Sequence, residues 1–247
     1  MKIVLIAGLQ VGRSVYTKLK EMNFAIEGVF VLEDHFSEKV VGFVKYDDIV
    51  PTEILCKVKH INDHFENIVN MKPDLIIVAG WSQIISKEIV DIPPMGTIGF
   101  HYAKLPERRG GSPIVWALID GLEETEVTMF YYVEKVDAGD IIGSYKIPVS
   151  MKDDPKSLLE KSEEAVVFLV KKYIPMLEKG TAPRIKQDDS MASFTKRRSA
   201  KDDIINWSKS SVEIYNFIRA LKPPYPGAYT ICGDGKKIYI LDAKLED

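Results

Sequence analysis

Cysteine is nearly missing from these 247 residues. Cys56 and Cys232 lie far apart and in no metal or redox spacing; two cysteines argue against a disulfide scaffold, and a reducing compartment fits. Long apolar runs are also lacking. The opening run Ile3 to Ala7 breaks beyond Leu9 into Gln10, Gly12 and Arg13, too short for a secretory leader and without a cleavage-like site. No stretch reaches the ~20 apolar residues of a membrane span. Charge of one sign is lacking as well: a net charge of −3 gives no sign of a nucleic-acid-binding protein, although it leaves room for a local basic patch. Internal repeats and low-complexity tracts are absent. These gaps point to a soluble, cytoplasmic chain with no membrane partner.

What is present suits a large α/β unit with a small appendage. At 46% hydrophobic and 28% charged, the chain has enough apolar material for a real core. Ile3 to Ala7 reads as a strand buried on both faces, Ser14 to Met22 as an amphipathic helix, and Ile26 to Leu32 as a second strand. This βαβ opening predicts a doubly wound, mostly parallel, Rossmann-like sheet. Helical patterning is expected over 54–71, strands over 74–79, 97–101, 127–133 and 141–149, and short helices over 84–90 and 113–119. One long helix should cover 156–178. The expected organisation is a first domain over 1–182, a polar linker over 183–202, and a C-terminal helix-plus-hairpin extension over 203–247. That last piece is too small for a strong core of its own and should lean on the first.

Two features invite chemistry. The turn from Gly8 to Gly12 precedes a helix, but position 10 is Gln and the dinucleotide fingerprint is absent, so plain packing is the preferred reading. More informative is Ile98-Gly99-Phe100-His101, a strand end followed by the basic, glycine-rich loop Lys104 to Gly111. Open α/β sheets bind ligands at such strand ends. Downstream, Asp137-Ala138-Gly139-Asp140 follows another strand and can reach the same end. A histidine and a carboxylate brought together form an acid–base pair. By spacing alone, a structural histidine and a turn-forming aspartate remain open alternatives.

These segments resemble the folate-dependent formyltransferases, whose hallmark is Asn-x-His, a Leu-Pro and Arg-Gly loop, then an Asp-x-Gly-Asp turn. His101, Leu105-Pro106, Arg109-Gly110, Pro113, Trp116-Ala117, Gly121, Thr128 and Asp137 to Asp140 match without gaps. The likeness extends upstream through Asp74 to Trp81 and downstream through Ile205-Asn206-Trp207, Ile218-Arg219-Ala220 and Pro224 to Ala228. It implies that His101 and Asp137 are catalytic and that N10-formyltetrahydrofolate is the donor, with no metal. The pterin would lie against Gly80, Trp81, Ile84 and Ile85 on one side and Val133 and Val136 on the other. Protonated His101 would donate to the developing oxyanion while Asp137 orients it and relays the amine's proton. Ser82, Ser112 and the cysteines need no catalytic role. Two positions depart from the pattern: Gly99 stands where the family has its catalytic asparagine, and Glu126 where it usually has glycine.

Within the family, the purine-pathway enzymes carry Pro-Gly at Arg109-Gly110 and lack an extension. The methionyl-tRNA enzymes share Arg-Gly but have a fuller C-terminal barrel. Deformylases usually carry a regulatory domain ahead of the first strand. The sugar N-formyltransferases, acting on nucleotide-linked amino-deoxysugars of the kind used in lipopolysaccharide biosynthesis, fit the short tail best. On that resemblance the substrates are folate and a nucleotide amino-sugar, with no nucleic acid and with a homodimer as candidate assembly. Lys104, Arg108 and Arg109 are then candidates for the diphosphate, and Tyr225 or Tyr229 for the base. The alternatives are a methionyl-tRNA formyltransferase-like enzyme, or a binding protein weakened in catalysis at Gly99.

Overall fold

A computed structural model describes residues 1–246. In chain order its strands are β1 (Lys2–Ala7), β2 (Ala25–Leu32), β3 (Leu55–Val58), β4 (Leu75–Ala79), β5 (Thr97–His101), β6 (Arg109–Gly110), β7 (Glu124–Tyr131), β8 (Ile141–Pro148), β9 (Phe194–Thr195), β10 (Ala228–Ile231) and β11 (Lys237–Ile240). The helices are α1 (Gln10–Glu21), α2 (Phe65–Met71), α3 (Lys87–Val90), α4 (Pro113–Ile119), α5 (Pro155–Glu178) and α6 (Ser211–Ala220). Seven strands form the central sheet in the order β3-β2-β1-β4-β5-β7-β8. The first five run parallel, and β7 and β8 add antiparallel partners. This is the mostly parallel, Rossmann-like sheet that the βαβ opening predicts, with a small β10–β11 hairpin at the C-terminal end.

Alternation along the inner strands explains the two-sided core. On β1, Ile3, Leu5 and Ala7 face one apolar cluster, and Val4 and Ile6 face another. On β4, Leu75, Ile77 and Ala79 join the first, while Ile76 and Val78 join the second. The first cluster is closed by α1, α4 and α5. Helix α5 buries Leu158, Ala165, Val166, Leu169, Val170, Tyr173 and Ile174 at helical spacing. Its start is fixed by Asp154, whose carboxylate accepts the Ser157 N–H at 3.0 Å while the Ser157 hydroxyl accepts the Asp154 N–H at 3.1 Å. The Gly8–Gly12 turn has a packing cause. A side chain on Gly12 would overlap both Ala7 and Tyr46, so glycine lets α1 close onto the sheet.

The helical expectation over 54–71 holds only at its end. Residues 55–58 form β3, which adds to the free edge of β2, and α2 starts at Phe65. So short an apolar piece has no decisive period of its own, and pairing with an open strand edge settles its state.

The C-terminal residues pack on the large sheet unit. Helix α6 lies against α4, and its buried Arg219 donates at 2.8 Å to the carbonyls of Ser150 and Asp153 and to Asn216 Oδ1. Arg198 pairs with Asp203 at 2.9 Å and lies 5.1 Å from the Trp116 ring, fastening the segment before α6. That segment, expected as a linker, is stitched to the body: β9 pairs in parallel with β6. No helix among the described residues is long and apolar enough to cross a membrane.

Candidate functional site

The site begins with the register of β5 on β7. Gly99 lies opposite Phe130 and His101 opposite Thr128, so all four share one face of the sheet. Tyr132, one step beyond β7, continues that face and keeps the pairing through its N–H, which donates to the Thr97 carbonyl at 2.7 Å. The Thr128 hydroxyl donates to the Ala103 carbonyl at 2.7 Å, tying down the loop that leaves His101.

His101 is 6% exposed. Its Nε2 lies 2.7 Å from the carbonyl oxygen of Arg108. A carbonyl only accepts, so Nε2 carries a proton and donates it. The other nitrogen, Nδ1, stands 3.6 Å from Asp137 Oδ2. In the neutral ring Nδ1 is therefore a bare acceptor beside a carboxylate. This geometry departs from the expected role of His101 as oxyanion donor, because one of its two N–H positions is already committed to the backbone.

Asp137 is placed by backbone and by a buried polar network. Its φ of 52° lies in the left-handed region, where aspartate is among the better-tolerated side chains. Oδ2 accepts the Gly110 N–H at 2.8 Å. Gln187 donates to the carbonyls of Asp137 and Gly139, at 2.9 and 2.6 Å. Its own carbonyl accepts from Arg109 Nε and Nη2, at 3.1 and 2.7 Å. The Arg109 charge is answered by Asp189 at 2.8 Å, and Lys135 and Arg109 together hold the Asp189 carboxyl below the usual range. A side chain on Gly139 would run into the Tyr131 carbonyl, so the Asp-x-Gly spacing has a steric cause.

Two cavities lie near this centre: Asp137 lines the first, whereas the buried His101 lines neither. One, of about 400 Å³, is walled by Trp81, Ile84, Ile85, Val133, Val136 and Asp137, among others. Ile84 is 84% exposed and Val136 60%, apolar surface that a flat heterocycle would cover. Trp81 also has a buried indole N–H with no hydrogen-bond partner among the described residues. The second cavity, of about 530 Å³, lies between the sheet unit and the C-terminal residues and includes Lys39, Phe100, Tyr102, Arg197, Leu221 and Tyr225. Trp81, Ser82, Ser112, Tyr132 and Arg197 border both.

The structure thus brings together His101 and Asp137, and it gathers five of the six expected pterin contacts at the first cavity. Gly80 instead borders the second, where its φ of 68° and the nearness of Leu9 and Val11 require glycine. Tyr225 lies on the second cavity, whereas the three basic residues expected there do not. Lys104 pairs with Glu107 at 3.1 Å, Arg108 with Asp120 at 2.7 Å, and Arg109 is fully buried in the Gln187 network. The cations bordering the second cavity are Lys39, Arg197 and Arg198, and Arg198 is already held by Asp203. Lys39 and Arg197 sit in polar stretches that read as turn and linker. The run Lys196-Arg197-Arg198 was the one available signal.

Comparison with known proteins agrees with this architecture. The formyl transferase pattern matches residues 1–172, and the formyl transferase C-terminal domain pattern matches 198–247. A methionyl-tRNA formyltransferase from Bacillus cytotoxicus is 40% identical over 178 residues, covering 72% of this chain and 56% of that protein. The bifunctional polymyxin resistance protein ArnA of Wigglesworthia glossinidia brevipalpis is 34% identical over 249 residues, covering 99% of this chain and 38% of that one. The chain spans about half the length, or less, of these curated relatives. Among solved structures, a sugar N-formyltransferase from Shewanella superposes with a TM-score of 0.76 at 18% identity, covering 100% of this chain and 99% of that one. HypX from Aquifex aeolicus, in complex with tetrahydrofolic acid, gives 0.73 at 18% identity, covering 97% and 37%. At such identities the structures speak for the fold, and the sequence patterns carry the assignment: the chain belongs to the formyl transferase family.

Proposed function

We propose that the chain transfers a formyl group from N10-formyltetrahydrofolate to the primary amine of a nucleotide-linked amino-deoxysugar. The observation that carries the sugar reading is the second cavity, built jointly by the sheet unit and the C-terminal residues, with aromatic walls and the cations Lys39 and Arg197. Neither cation has an ion-pair partner among the described residues, which suits a diphosphate. Tyr225 offers a face to the base. The first cavity suits the folate, whose bound form supplies an electrophilic formyl carbon. Likeness in fold, along nearly the whole of both chains, to a sugar N-formyltransferase supports the same reading.

The residues then divide the work. The amine nitrogen adds to the formyl carbon, which places negative charge on the formyl oxygen, and the bond from that carbon to the folate nitrogen then breaks as the carbonyl re-forms. His101 Nδ1, bare in the neutral ring, takes the proton the amine sheds, and Asp137 stabilises the charged ring that results. The departing folate nitrogen takes up a proton in turn. No covalent enzyme adduct is needed.

A second reading, methionyl-tRNA as acceptor, is favoured by the 40% identity to the Bacillus cytotoxicus enzyme. Formyl transfer assayed with a panel of nucleotide amino-sugars and with charged initiator tRNA separates the two. Turnover with a nucleotide sugar, and no tRNA retained on filters at low salt, is expected. Preferential formylation of the tRNA would overturn the sugar reading.

A further inference from the structure

We infer that the Tyr132 hydroxyl donates the hydrogen bond that stabilises negative charge developing on the formyl oxygen, taking up the work that no side chain at position 99 can do. The inference rests on the proposed formyl transfer, and its own contact is read separately below.

Three observations place the phenol there. Gly99 and Tyr132 are diagonal neighbours on one sheet face, two residues short of His101 on β5 and just past the end of β7. The tyrosine ring fills the space over the glycine. A Cβ built on Gly99 would overlap the ring, with Cζ and Oη each 3.0 Å away. Any larger residue at 99 therefore excludes the ring from its present position. Phe130 stacks beneath, its centroid 5.3 Å from that of Tyr132 at 26°, so the ring is held by packing on a buried neighbour.

The hydroxyl itself is uncommitted. It has no hydrogen-bond partner among the described residues, and Tyr132 borders both cavities, where the two reactants meet. Burial first, then the negative charge of Asp137 and the neighbouring Tyr102, hold this phenol well above the usual tyrosine range. It stays protonated at any working pH and is a donor throughout. His101 cannot easily fill this role, since Nε2 already donates to Arg108 and Nδ1 is needed as acceptor. A fixed donor aimed at charge that builds in the transition state is worth about 10²–10³ in rate.

The test uses the full chain in four forms: wild type, Tyr132→Phe, Gly99→Asn, and Gly99→Asn with Tyr132→Ala. Tyr132→Phe should lower kcat by about 10²-fold with little change in KM for folate. Gly99→Asn alone should also be impaired, because the new side chain and the ring compete for one space. The double variant should recover much of the lost rate. Independently of turnover, the infrared carbonyl stretch of a bound, non-transferable ¹³C-formyl folate analogue should sit lower in wild type than in Tyr132→Phe. Unchanged kcat together with an unchanged stretch in Tyr132→Phe would overturn the inference. So would a silent wild type that gains activity only in the double variant, since the ring would then be a plug. Absence of turnover in every form sinks the proposed function instead, while the stretch still decides whether the phenol touches the formyl oxygen.

Discussion

The carbonyl of Arg108 accepts the hydrogen bond from His101 Nε2–H and leaves Nδ1 as the ring nitrogen able to exchange a proton beside Asp137. Two consequences follow for variants. His101→Ala and Asp137→Asn should each abolish formyl transfer in a single-turnover assay while thermal melts still show a folded protein. Near-normal turnover in either would remove that residue from the reacting centre. That His101 and Asp137 come together was legible in the sequence because motif spacing survives in the chain. The tautomer was not, since it depends on a carbonyl seven residues away that turns back only when the loop folds.

Among the elements, β1, β2 and β4 were readable from their continuous apolar runs, whereas β3, β6 and β9 were not. Residues 55–58 are strand only because β2 offers them an edge. β6 and β9 are two residues each, and they pair across the chain without any apolar pattern. The same blindness hid Gln187, Asp189 and Arg197 inside a polar stretch that composition marks as linker. At the head of α5 a further polar cluster matters for stability. Burial by itself would raise the pKa of the Asp153 carboxyl. An ion pair with Lys161 at 2.8 Å and hydrogen bonds from the Ser150 N–H at 2.7 Å and the Ser157 hydroxyl at 2.8 Å outweigh this and hold it far below the usual range. A depressed folded-state pKa gives stability that is fully present above the unfolded value of about 4 and is lost as pH falls through the folded one. Asp153→Asn should therefore lower Tm at neutral pH by several degrees, and its gap from wild type should shrink in melts run progressively below about pH 4. A gap independent of pH would show that the ionised form contributes nothing. Because Arg219 of α6 grips the carbonyls of Ser150 and Asp153, loosening here should also free the C-terminal residues.

For the molecule as a whole, Trp81, Ser82, Ser112, Tyr132 and Arg197 form a border common to both cavities. On the proposed function each reactant takes one cavity, and the two meet along that border. A chain that handed the formyl group first to itself would release the spent folate before the amine arrived. Such a relay requires a nucleophile on the enzyme, whereas direct transfer requires only that both occupants be present at once. The kinetic signature of that layout is intersection: double-reciprocal plots against folate at several fixed amine concentrations should cross, where a ping-pong mechanism would give parallel lines. Isotope exchange between formyl-folate and folate should accordingly be undetectable until the amine is added, so that the one-carbon unit leaves the folate only when an acceptor is in place.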